Sequence, residues 1–368
     1  MKIFLKSFIA VIVASVLFMG CGKKEDETIK IGFVAGLSGK YSALGTSIRD
    51  GFTLAFDEID YKIGDQKVKI VQKDDRQNEQ QNASIINEFI KDGIKIIVGN
   101  ATSSMTAISI PIVNKHKDTL LFSATASGGD FTQKDDNFIR IQVEHDAKRY
   151  KALNHYLHKM KYKKIFFIYD SKNMSYAKGY LSFFQDMVKA NGGSFIANMD
   201  LNNPYEKILT KLQTTTHDLI LVVGNSVDTA NIIQYIRLNH IDTKVLASGW
   251  AKTMDLIQNG GKAVEGVIFS TGYDDGSKDK AFLSFVDKFK VKYGKQPSVF
   301  AAQGYELAKI LIQNLKVSND TSTLKNRILE IKKYDGLQGD IIFDKWGDVA
   351  RKYFMMEIKN GKYVKVDI

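Results

Sequence analysis

"IKIGFVAGLSGKYSALGTSIRDGFTLAFDEI" (Ile29–Ile59) sets the pattern that the rest of the chain repeats. Ile29–Ala35 is a short apolar run of the kind a strand buried on both faces requires. A Gly/Ser loop follows, and then Ile48, Phe52, Ala55 and Ile59 recur at helical spacing. "VKIVQ" (Val68–Gln72), a helix carrying Ala83, Ile86 and Ile90, "IKIIVG" (Ile94–Gly99), another helix and "TLLFSA" (Thr119–Ala124) continue the alternation. Strands alternating with helices predict a parallel sheet covered on both faces.

The rhythm restarts after Val143. A helix over Lys148–Met160 leads to "KIFFIYD" (Lys164–Asp170), a helix to Ala190, "SFIANM" (Ser194–Met199) and a helix near Tyr205–Thr214. "DLILVVG" (Asp218–Gly224), a helix to Asn239 and "KVLASG" (Lys244–Gly249) complete a second series. Two such series predict two similar α/β lobes. The last hundred residues differ: long helices near Lys278–Tyr293 and Val299–Lys316, a third over Leu324–Ile331, then "GDIIFDKWGD" and two short strands.

The ends and the composition bound the function. Lys2 and Lys6 precede an apolar stretch from Phe8 to Met19, the layout of a secretory signal and too short to span a bilayer. Residues 1–20 read as that signal, and Cys21, the only cysteine, would become the new N-terminus. With no second thiol there is no internal disulfide, so the fold stands on its core alone. Residues 21–28 are polar and read as a tether. The remaining chain, roughly 340 residues, suggests two domains. Apolar content of 44% and charged content of 25% are those of an ordinary globular protein. The formal charge of +11 falls to +9 once Lys2 and Lys6 leave with the signal. Basic balance alone can suit nucleic acid, but a secreted protein has little occasion to meet it; anionic headgroups or an anionic ligand suit it better, a merely lysine-rich proteome better still, and charge alone decides nothing.

Catalytic machinery is missing. "GLSGKYS" (Gly36–Ser42) lacks the glycine spacing of a phosphate loop and has Tyr41 where a magnesium-binding hydroxyl is needed. There is no G-x-S-x-G. His155 and His158 share a helix face with no acid at metal-ligand spacing. The expectation is a protein that is not an enzyme and uses no cofactor and no metal.

Binding chemistry is present at strand ends, where parallel sheets hold ligands. After Ile94–Val98 comes "GNATSSMT", and after Thr119–Phe122 comes "SATASGGD". Both are small, hydroxyl-rich loops, and the first leads into a helix start, which favours a carboxylate or another anion. If those strands are neighbours, the loops face each other. In the second series, Tyr176 opens a helix just beyond a strand, and Trp250 follows Lys244–Ser248 in the same way. Both could wall a pocket for an apolar or aromatic ligand portion.

The opening segment, "VQKDDRQNEQQNASIINEFIKDGIKIIVGNATSS", "KKIFFIYDSKNMSYAKG" and "LQGDIIFDKWGD" together resemble the type I periplasmic binding proteins, of the leucine/isoleucine/valine type that serves bacterial ABC transporters. The similarity runs in order through essentially all of Ile29–Val366. It implies two doubly wound parallel-sheet lobes joined by three crossovers, expected near Val143–Asp146, Thr271–Asp275 and Phe343–Val349. Lobe I would be 29–145 plus 274–346, and lobe II 146–273 plus 347–368. The region around Cys21 likewise resembles a lipoprotein lipobox, which implies a lipid anchor on that residue.

The resemblance also implies an interlobe cleft. A ligand carboxylate would be held by Ser103, Thr125 and Ser127, beside the cleft tyrosine Tyr176, with Leu44 and Phe300 touching the ligand side chain. One departure stands out. Where amino-acid binders of this group place a glutamate for the ligand's ammonium, this chain reads "ASGWAKT", with Gly249 and Trp250. Either another acid, Asp274 being the candidate, takes that role, or the ligand is a carboxylate without an ammonium. The implied protein is a monomeric, lipid-anchored receptor in the periplasm or at the cell surface. It would deliver a small carboxylate to an ABC permease and have no nucleic-acid partner; the alternative is a sensing or regulatory lipoprotein of the same fold.

Overall fold

A computed structural model describes residues 28–146 and 149–366. The proposed signal, most of the tether and Cys21 lie outside the described residues. The first series forms β1 (Ile29–Ala35), α1 (Ser42–Asp57), β2 (Lys62–Ile63), β3 (Gln66–Asp74), α2 (Glu79–Lys91), β4 (Ile96–Val98), α3 (Ser103–Val113), β5 (Leu120–Ser123) and β6 (Phe138–Arg140). The second forms α4 (Lys151–Met160), β7 (Lys164–Tyr169), α5 (Met174–Ala190), β8 (Ser194–Asp200), α6 (Tyr205–Gln213), β9 (Leu219–Val223), α7 (Ser226–Leu238), β10 (Lys244–Ala247), α8 (Met254–Gly260) and β11 (Ile268–Thr271). The remainder supplies α9 (Lys280–Tyr293), α10 (Val299–Leu315), α11 (Thr321–Ile331), β12 (Lys333–Gly336), β13 (Gly339–Phe343), β14 (Val349–Ala350), β15 (Phe354–Lys359) and β16 (Lys362–Lys365).

Two main sheets result. One runs β2-β3-β1-β4-β5-β6 and the other β16-β15-β11-β10-β9-β7-β8. The inner orders β3-β1-β4-β5 and β8-β7-β9-β10 are equivalent and parallel, so the two lobes are copies of one topology. Their strands are apolar because both faces are covered: β9 is buried at every residue, and so is β4. Apart from the two-residue β2, antiparallel pairing in these sheets is confined to β15 and β16, which close the free edge beside β11.

The C-terminal helices return to lobe I. Helix α10 is apolar nearly all round, is buried along almost its whole length and packs on α1. Ser298 starts it, its hydroxyl accepting from the Ala301 N–H. The two helices touch backbone to backbone: a Cβ on Gly51 would fall 1.8 Å from the Ala301 carbonyl oxygen, and one on Gly304 2.2 Å from that of Ile48.

Three passages join the sheets. The first follows β6 and the second follows β11. The third lies between β14 and β15, later than Phe343–Val349. Those two residues are themselves paired across the small antiparallel sheet β12-β13-β14, which stays with lobe I. The short turn between them makes a hairpin rather than a link, and the boundary expected at 346/347 moves past Ala350.

Candidate functional site

β4 and β5 are parallel neighbours, so the two hydroxyl-rich loops do face one another at the carboxyl edge of lobe I. The corresponding edge of lobe II stands opposite, and a cavity of ≈ 30 Å³ lies between them. Leu44, Ser103, Thr125, Tyr176, Trp250 and Phe300 all line it. Ser127 and Asp274 do not.

Ser103 shows why a helix start makes a recognition site. It is the first residue of α3 and 1% exposed. Its Oγ accepts from the Ser127 N–H and from the Gly128 N–H, both at 3.1 Å. A hydroxyl has two acceptor positions and one proton. With both acceptor positions taken, only the proton remains to offer, so a group meeting Ser103 must be an acceptor. Ser127 therefore acts through its backbone. Its own hydroxyl turns away, toward His145 Nε2 at 3.4 Å. Thr125 has the complementary character: its Oγ1 donates to the Ala101 carbonyl at 2.7 Å, leaving lone pairs.

Asp274 lies on the second passage between lobes. Its Oδ1 accepts from the Gly276 N–H at 2.8 Å, and Gln338 brackets its backbone through two hydrogen bonds. Those contacts hold the carboxylate in the crossover. Among the described residues, no aspartate or glutamate lines the cavity.

The passages contribute residues that the strand-end rule missed: Gln142, Arg149 and Tyr353. Lobe II adds Asn173 and the Ser270–Gly272 end of β11, which the same rule applied to β11 would have found. Arg149 carries no signal in its immediate sequence, where it stands between lysines at what reads as a solvated helix start. A weaker signal is its type. The chain has seven arginines, and three of them, Arg140, Arg149 and Arg351, have side chains at or below one-tenth exposed. Arginine is the cation best suited to surviving desolvation.

Aromatic groups surround the cavity floor. Tyr176 meets Trp250 edge-on at 5.8 Å, and His145 contacts Tyr150, Tyr176 and Tyr180. Burial, together with the positive charges of Arg149 and Arg140, holds the His145 imidazole well below its usual range. Burial pushes the Tyr176 phenol up. Both groups are neutral at neutral pH.

The lobes touch across the mouth. The Tyr41 hydroxyl donates to Asp170 Oδ2 at 3.0 Å and its ring stacks on Trp250 at 6.1 Å. Lys40 pairs with Asp228 at 2.7 Å. Asn173 Oδ1 accepts from the Ser104 N–H at 3.1 Å, so lobe II caps a lobe I helix.

Behind the cavity the passages are pinned. Glu306 on α10 pairs with Arg351 at 2.7 Å, accepts from the Leu337 N–H at 2.6 Å and takes the Tyr273 hydroxyl. Arg140 pairs with Asp348 at 2.6 Å.

The chain is similar over nearly its whole length to known binding proteins. The Leu/Ile/Val-binding protein BraC3 of Rhizobium johnstonii is 24% identical over 374 residues, covering 99% of this chain and 100% of that one. The branched-chain amino acid transporter substrate binding protein LivJ from Streptococcus pneumoniae, solved with isoleucine, superposes with a TM-score of 0.83 at 25% identity, covering 92% of this chain and 99% of that one. A solute binding protein of an ABC transporter from R. palustris, solved with benzoate, gives a TM-score of 0.84 at 18% identity, covering 92% and 95%. The family described as periplasmic binding protein matches residues 28–362. With that match over nearly the full length and two equivalent lobes around one cavity, the chain belongs to the periplasmic binding proteins, with the type I fold.

Proposed function

We propose that the protein is the extracytoplasmic receptor of an ABC transporter and that it binds a small carboxylate-bearing solute between its lobes, without catalysing a reaction. The observation that carries this reading is the Ser103 hydroxyl, left with only a proton to offer at the start of α3, in a cavity walled by both lobes. A carboxylate oxygen is the natural acceptor there. Thr125 and Tyr176 complete the polar rim, while Leu44, Trp250 and Phe300 take the apolar portion.

A cavity of ≈ 30 Å³ admits little more than water, so entry requires the lobes to part. Ligand then bridges them and favours the closed form by hinge rotation at the three passages. That form would dock on the permease, while a lipid on Cys21 keeps the receptor at the membrane facing the periplasm or the cell exterior.

Two results check this. In a thermal-shift screen of the purified protein against amino acids, other carboxylates and amides, a carboxylate should stabilise, by about 2.7 kcal/mol at one hundred times its dissociation constant. Ser103→Ala should then weaken binding of that solute by about 1–3 kcal/mol, since one charge-assisted hydrogen bond is lost. Stabilisation by amides alone, or unchanged affinity in the variant, counts against the reading. For the anchor, Cys21→Ser should move the protein from the membrane to the soluble fraction, and retention on membranes would refute lipidation.

A further inference from the structure

Three arginines are buried at the seam between the lobes, and they are not alike. Arg140 has Asp348 and Arg351 has Glu306. Arg149, 4% exposed, forms no ion pair among the described residues. Its Nη1 donates to the Val143 carbonyl at 2.6 Å and, more weakly, to that of Glu144 at 3.4 Å. The rings of Tyr150 and Tyr353 lie 5.1 and 5.0 Å from its guanidinium carbon, and its buried Nε has no acceptor.

Carbonyls and ring faces soften a cation; they do not neutralise it. A guanidinium does not escape by losing its proton. An unpaired buried charge costs several kcal/mol, so a site that keeps one is built around a missing counter-charge. Arg149 lines the cavity, and among the described residues it is the only charged one that does. With Tyr176 neutral, and His145 behind it neutral too, the described lining carries one positive charge.

We infer that the ligand is a monoanionic carboxylate without an α-ammonium group, and that Arg149 is its counter-ion. A monoanion brings the closed cavity to zero net charge. A zwitterionic amino acid leaves the total at one positive charge and buries an ammonium beside a guanidinium with no acid to receive it. The orphaned Arg149 Nε and the unpartnered Ser270 hydroxyl give the cavity polar groups still to be satisfied, and Arg149 is the one that requires an anion.

This inference rests on the carboxylate reading above, and matched ligands separate the two. Calorimetry on the purified protein compares isocaproate with leucine and hydrocinnamate with phenylalanine; each pair shares a skeleton and differs in the ammonium. At least one deaminated acid should bind, about 100-fold tighter than its amino-acid counterpart. Arg149→Gln should weaken that acid by about 100-fold, and Arg149→Lys, which keeps the charge, by less. Leucine or phenylalanine binding as tightly as its counterpart overturns the inference and leaves the carboxylate reading standing. Binding that is indifferent to Arg149→Gln removes the counter-ion role. Silence from all four ligands, with no carboxylate stabilising the protein in the thermal-shift screen, overturns both readings. The wild-type comparison holds even where a variant fails to fold.

Discussion

Glu306→Ala should lower unfolding stability by about 3–5 kcal/mol, the largest loss expected of any single change described. Glu306 is 3% exposed, and its two oxygens serve three donors: the Arg351 guanidinium, the Leu337 N–H and the Tyr273 hydroxyl. Removing the carboxylate strands the Arg351 cation in the interior, and the penalty for the stranded charge exceeds the value of the pair itself. Two further variants separate those contributions. Glu306→Gln keeps the shape and one acceptor, and should recover only part of the loss because Arg351 stays unpaired. The double change Glu306→Ala with Arg351→Met removes both ions and should cost less than the sum of the single changes. Urea titration reads all of them, and a Glu306→Ala loss below about 1 kcal/mol would show that the buried pair is not holding the interior together. Tyr273 and Arg351 stand beside the second and third passages, so the same experiment asks how firmly those links are tied to lobe I.

Gly51→Ala should cost about 3 kcal/mol or more, at or beyond the upper end of overpacking losses. In a solvated helix the same exchange stabilises by roughly 1 kcal/mol. Here the added methyl would meet the Ala301 carbonyl oxygen at 1.8 Å, and backbone cannot rotate aside as a side chain can. Relief requires α1 to lift from α10, which carries the packing of Phe52, Ala55 and Phe56 with it. Gly304→Ala should behave alike from the other side. Gly129→Ala is the control, since nothing lies within 4 Å of a Cβ there. Thermal unfolding of Gly51→Ala within about 0.5 kcal/mol of the parent would mean that the helix contact is looser than its geometry.

Much of the architecture was legible in the sequence because buried parallel strands are written as apolar runs, and the alternation of "IKIGFVA", "IKIIVG", "KIFFIYD" and "DLILVVG" with helical spacing admits few other folds. β6 escaped because its two apolar residues, Phe138 and Ile139, stand between Asn137 and Arg140 and make no apolar run. The lining of the cavity was legible at the level of loops. Ser103, Thr125, Tyr176 and Trp250 follow strand ends, and parallel sheets bring strand ends together.

Which face a loop residue presents is a different matter, set by backbone turns that spacing does not encode. Ser127 is two residues from Thr125, yet it contributes an N–H to Ser103 instead of a wall to the cavity. Asp274 was chosen for its charge and its nearness to a strand end, and its carboxylate is spent on the crossover itself. Arg149 was missed for the opposite reason. A cation between lysines reads as solvated, and only the meeting of two lobes makes that position an interior one.

The arrangement of β1 carries a consequence for how solute reaches the receptor. Both parallel sheets point their carboxyl edges at the cleft, so β1 begins at the remote pole of its lobe and runs about 20 Å toward the opening. A leash fastened ahead of Ile29 would grip that pole. The doorway would then look outward from the bilayer, unobstructed, with the whole thickness of the lobe standing between it and the headgroups.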